Sequence, residues 1–184
     1  MPIKGAVRAA HVLNSGDVGH RLRVEVWASN ITGPGVPQVS RLTRIVRPLV
    51  TLGLEQGALN GLRTGRPSLS LKLAAATGQQ PLRSVTVSLP GGLTLSRSAA
   101  KSIRVLGTRK GFSYRLSLAA HKLRVICRSS TSGLRVTIPS PVLRGSPDLA
   151  ARAASRQART VSLQLLVTES YGGKGRFTLK IPVR

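Results

Sequence analysis

The sequence predicts an all-β fold, a sandwich of short strands interrupted by one helix, and three observations predict it. From Pro67 onward apolar residues recur at every second position in short runs, the period that gathers them on one face of a strand. Clusters such as Pro90-Gly91-Gly92 and Gly172-Gly173 separate the runs, at the spacing of strands in a sandwich. The apolar residues are mostly Leu, Val and Ala, with aromatics at 3 %, which points to a core of small and branched aliphatics.

Taken in order, residues 1–47 read as a partial β repeat. Leu22, Val24, Val26 and Ala28 alternate with Arg23, Glu25, Trp27 and Ser29, so the first set is expected on a buried face. A turn at Asn30-Ile31-Thr32-Gly33-Pro34-Gly35 follows, and Val39, Leu42 and Ile45 supply an outgoing segment. Residues 48–66 hold four glycines without steady alternation and read as a linker.

Residues 67–184 carry the sandwich. Leu69, Leu71 and Leu73 share one face, and Val85, Val87 and Leu89 share another. Phe112, Tyr114, Leu116 and Leu118 are answered across the Ala119-Ala120-His121 turn by Leu123, Val125 and Cys127, and Leu134, Val136 and Ile138 follow. Two longer strands, 160–168 and 176–183, close the chain around a Ser170–Lys174 turn, with Pro182 favouring an edge position. Residues 146–159 predict the helix. Ser146 suits the N-cap, Pro147 the first turn and Asp148 the positive end of the dipole, while Arg156 and Arg159 suit the negative end.

The stretch 11–30, His-Val-Leu-Asn-Ser-Gly-Asp-Val-Gly-His-Arg-Leu-Arg-Val-Glu-Val-Trp-Ala-Ser-Asn, resembles the closing hairpin of immunoglobulin-like repeats in actinobacterial extracellular proteins. It departs from them at His11, where tyrosine is usual, and at Trp27, where a smaller residue is usual. Residues 67–184 resemble a second β module of similar proteins through Ser84-Val-Thr-Val-Ser-Leu-Pro-Gly-Gly-Leu93, the basic helix and the terminal strand pair. The resemblance implies an immunoglobulin-like β-sandwich, a secreted or cell-surface location, and a C-terminal fragment of a longer array with neighbouring repeat domains as partners. The start of the chain carries no apolar run of the kind a signal peptide has, and no segment reaches the roughly 20 apolar residues of a membrane span.

Charge dominates the composition. There are 29 Lys+Arg against five acids, Asp17, Glu25, Glu55, Asp148 and Glu169, a net charge of +24. Such a surface attracts polyanions, nucleic acid or acidic wall polymer, in a salt-sensitive way. With Cys127 inward, Arg124 and Arg128 face outward on one strand, and Arg115 on the preceding strand and Arg135 on the following one are expected to join them in an anion-contact cluster. Scattered basic residues are equally what a solvated strand face looks like.

Few groups can carry chemistry. Asp17 and His20 stand at a strand corner, where an aspartate usually caps its own turn. His121 falls in a turn, and no two histidines stand at metal-ligand spacing. Tyr171-Gly-Gly-Lys-Gly-Arg176 lacks the length and following helix of a phosphate loop. Asn30-Ile31-Thr32 fits a glycosylation acceptor pattern. A lone Cys127 forms no intrachain disulfide and reads as a small buried hydrophobe. The expectation is a non-catalytic structural or adhesive module, too sparse in acid–base groups for an enzyme, without cofactor or metal and monomeric; a polyanion binder is the alternative.

Overall fold

The computed structural model describes the chain except for residues 1, 2, 4–9, 48, 49 and 171 and the side chains of 15, 54 and 99. It divides into two compact units, Met1–Pro48 and Leu49–Arg184.

The first unit is a narrow ribbon. Strand β1 (Glu25–Val26) pairs antiparallel with β4 (Gln38–Val39), and β2 (Ser29–Asn30) with β3 (Gly33–Pro34). Asn30 Oδ1 holds the tip by accepting from the Thr32 N–H at 3.0 Å and the Thr32 hydroxyl at 2.6 Å. Beyond β4 the two arms step unequally. The N–H groups of Ser40, Thr43 and Val46 donate to the carbonyls of Val24, Leu22 and His20 at 2.7–2.8 Å, so every two residues on one arm meet three on the other. Each extra residue carries a backbone acceptor out of reach, as in a β-bulge. Hydroxyls replace it: Ser40 Oγ and Thr43 Oγ1 accept from the N–H groups of Val24 and Leu22, both at 2.9 Å.

The buried face expected for Leu22, Val24, Val26 and Ala28 does not exist among the described residues. Val24 is 62 % exposed, Val26 58 % and Leu42 57 %. The alternation is real, but no second layer covers it among the described residues. Replacing Val24 or Val26 by Thr should therefore change stability by no more than about 0.5 kcal/mol, whereas Ser40→Ala should speed amide exchange at Val24 while sparing Leu22. Exchange measured residue by residue checks both.

The second unit is an all-β sandwich of two main sheets. Its strands are β5 (Leu52–Asn60), β6 (Ser68–Ala75), β7 (Leu82–Ser88), β8 (Leu93–Leu95), β9 (Arg104–Gly107), β10 (Tyr114–Ala119), β11 (Lys122–Thr131), β12 (Gly133–Ile138), β13 (Leu143–Gly145), β14 (Thr160–Glu169) and β15 (Lys174–Pro182). One antiparallel sheet runs β10-β11-β7-β14-β15 and the other β5-β6-β12-β9, while β8 pairs with β13. Leu69, Leu71, Leu73, Val85, Val87, Leu123, Val125, Leu134, Val136, Ile138, Leu163 and Leu165 fill the space between the layers, as the alternation predicts.

Within the linker expected at 48–66, Leu52–Asn60 is instead the first strand of this sandwich. Strand β5 pairs with β6 from Leu52↔Ala75 to Asn60↔Ser68, and Leu59 and Leu62 are fully buried. Its glycines hid it, and at Gly57 the reason is spatial. A Cβ there would lie 2.9 Å from Leu71 Cδ2 and closer still to Ile181 Cγ2, so only glycine lets β5 approach β15. The contact continues at the chain end, where Arg184 N–H donates to the Leu59 carbonyl at 2.8 Å and Gly61 N–H to the Arg184 carbonyl at 3.1 Å. Leu59 and Val183 form a parallel bridge. The last residues thus leave the five-stranded sheet and tie the edge of the other.

Helix α1 (Pro147–Ala154) crosses from β13 to β14 and is shorter than the expected 146–159. Ser146 caps it, its Oγ accepting from the Leu149 N–H at 3.2 Å. Only Ala153 on it is fully buried, with Leu149 partly so. Arg156 then adopts a left-handed φ of 59°, which ends the helix, and Ala158 N–H closes the turn on the Arg152 carbonyl at 3.0 Å.

Cys127 is half-buried and packs against the core from β11. Burial pushes its thiol pKa from 9.0 up to about 11. A thiol held neutral by the fold contributes no pH dependence below 9.0 and costs stability as pH rises from 9.0 toward about 11. Thiol labelling of the native chain near neutral pH is expected to be slow beside that of the unfolded chain. Equal rates would place the sulfur outward.

Candidate anion-contact surface

The five-stranded sheet carries three of the four arginines expected to cluster. Arg124 on β11 stands opposite Ser117 of β10 and Thr86 of β7, and Arg115 on β10 stands opposite Ile126. The two therefore lie diagonally on the outer face, roughly 7–8 Å apart at their backbones. Arg128 follows the irregularity after Ile126, its N–H donating to the Ser113 carbonyl at 2.9 Å. All three side chains are exposed.

Arg135 does not join them. It lies on β12, in the four-stranded sheet, opposite Lys72 of β6 and Leu106 of β9. Between β11 and β12 the chain passes to the other layer, a crossing held by the Thr131 hydroxyl, which donates to the Gly133 carbonyl. A short connection between alternating strands looks like a hairpin in sequence, and here it is a change of sheet.

Sequence reasoning also missed cations on the first face. The row through Arg124 continues Thr86, Leu166, Arg176, with Arg176 on the far edge strand β15. The alternation around Phe177 shows Arg176 pointing away from the core, but no local signal tells that β7 and β14 lie between the two arginines. Three strand spacings of about 4.8 Å separate them, so this face spreads its charge.

No family model matches the chain, and no curated protein matches it. Solved structures similar to it include the collagen-binding domain of the Erysipelothrix rhusiopathiae surface protein RspB, at 11 % identity and TM-score 0.43 over 90 % of this chain and 57 % of that one. An uncharacterized Nocardia farcinica protein with an immunoglobulin-like fold is similar at 18 % identity and TM-score 0.37, over 69 % of this chain and 81 % of that one. A DUF4466 family protein from Parabacteroides merdae is similar at 13 % identity and TM-score 0.39 over 73 % of this chain. The chain spans 46 % of the length of that last protein.

The remaining polar groups hold local structure. Asp17 Oδ2 accepts from the Asn14 N–H at 2.9 Å and lies 2.9 Å from His11 Nε2. The Asn14 hydrogen bond first, and then His11, hold its carboxyl below the ordinary 3.8. Its imidazole partner is His11 rather than His20, and it caps its own turn. His121 Nδ1 lies 2.9 Å from the Leu93 carbonyl. The glycines after Tyr171, a residue outside those described, form a hairpin turn in which Gly172 N–H donates to the Glu169 carbonyl at 2.9 Å. Glu169 is buried, and burial raises its carboxyl pKa. Among the described residues no three of His, Cys, Asp and Glu gather as a metal site, and no helix is long and apolar enough to cross a membrane.

Proposed function

We propose that the chain is a non-catalytic structural or adhesive part of a secreted or cell-surface protein, holding its neighbours at a distance and under tension. The observation that carries the reading is the tie between the first and last strands of the sandwich. Leu59 and Val183 bridge in parallel, and Arg184 exchanges backbone hydrogen bonds with Leu59 and Gly61. Tension applied through residue 49 and residue 184 runs along the two strands, across these bonds, and loads them together. Antiparallel ends would instead open one bond at a time.

The exposed apolar arms of the first unit support reading it as the closing hairpin of an immunoglobulin-like repeat, and the resemblance at 67–184 supports a place toward the C-terminal end of a longer array. Pulling a tandem array of the second unit from its two ends tests the mechanical role. Discrete unfolding peaks that weaken when Val183-Arg184 is deleted are expected. Peaks unchanged by that deletion would refute the role.

A further inference from the structure

The outer face of the four-stranded sheet differs from its counterpart. Lys72 and Arg135 are directly opposed across β6 and β12, both exposed, and neither is paired with a carboxylate among the described residues. Like charges directly opposite on a sheet destabilise it. In the same row stand Gln56 beside Lys72 and Leu106 beside Arg135, with Ser70 in the next row. Lys180 of β15 and Arg184, beyond the end of that strand, complete the set, so that the four cations line one shallow basin of about 470 Å³. Glu55, the single acidic side chain lining it among the described residues, has its pKa raised by burial.

We propose that this basin binds an anionic polysaccharide or polyol polymer, one with repeating phosphate or carboxylate groups on a hydroxyl-rich backbone. Four unneutralised cations around one open depression focus a field that scattered charges do not, and guanidinium and ammonium groups match phosphate or carboxylate oxygens. Gln56 and Ser70 supply hydrogen bonds for hydroxyls. Among the described residues no aromatic side chain lines the basin, and aromatic stacking is what single-stranded nucleic acid depends on. The inference does not rest on the mechanical role, since binding is read on the free chain without force.

The full chain is titrated with poly(glycerol phosphate), with polygalacturonate and with oligo(dT), each across a salt series, and its melting is followed without polymer. The first two polymers separate phosphate from carboxylate recognition. Lys72→Thr with Arg135→Thr is expected to weaken binding to at least one of them by about tenfold or more. Removing the same charge from the other sheet, by Arg124→Thr with Arg176→Thr, is expected to leave it within about twofold. Lys72→Glu places opposite charges in register, so it should raise the melting temperature while abolishing binding; a variant more stable than the parent cannot owe its loss to misfolding. Equal losses from the two double variants would reduce the effect to net charge and overturn the proposal. So would oligo(dT) binding tighter than either of the first two polymers, or no binding of either.

Discussion

A chain that starts at residue 67 should fail to fold, whereas one that starts at residue 49 should keep the whole sandwich. The longer chain retains β5, and the shorter one loses it together with Val50, Leu59 and Leu62, all buried. Fully burying such side chains contributes about 1.5–3 kcal/mol each, and their removal also uncovers Leu69 and Leu71 on β6, which pairs with β5 along its length. The sum is comparable with the roughly 5–15 kcal/mol that holds a domain of this size folded. It also leaves the terminal Val183-Arg184 segment without its partner. Dispersed amide resonances from the longer chain and collapsed ones from the shorter are the expected result. A native spectrum from the chain starting at residue 67 would show that β5 is dispensable.

Gly57→Val should be the most damaging single substitution on β5. The first added carbon already crowds Leu71 Cδ2 at 2.9 Å and Ile181 Cγ2 more closely; both side chains belong to a packed core and have little space to retreat into. Overpacking of this kind costs about 1–3 kcal/mol and sometimes more. The remaining two carbons of valine put the expected cost near the upper end. The cause can be isolated, because Ile181→Ala removes the obstructing atom. By itself that change should cost about 2–5 kcal/mol, but in combination with Gly57→Val the total should fall short of the sum by 1 kcal/mol or more, as expected of side chains in contact. Additive losses in denaturant melts would mean that the two residues do not meet.

Period-two alternation made the second unit's core readable, because Leu69-Leu71-Leu73 and Val85-Val87 can be apolar on one face only if a layer covers that face. The same pattern misled at Leu22-Val24-Val26, since alternation records which side of a strand is apolar and is silent on whether anything covers it. Strand β5 escaped because its inward position at Gly57 has no side chain, and the apolar signal of an inward row vanishes where a neighbouring strand comes too near for a Cβ. Alternation assigns the basic residues to a face one strand at a time. That sufficed for Arg115 and Arg124, which share a hairpin, and failed for Arg135, whose partner Lys72 is distant in sequence and becomes a neighbour only through the sheet order.

Protection of the Arg184 amide against hydrogen exchange tests the closure of the sandwich most directly. A terminal residue normally frays and exchanges at the rate of an unstructured chain. Here its N–H donates to the Leu59 carbonyl at 2.8 Å, so protection approaching that of the β14 amides, between β7 and β15 in the five-stranded sheet, is expected. Exchange of Arg184 and Gly61 at unprotected rates, in a chain whose β14 amides remain protected, would contradict it.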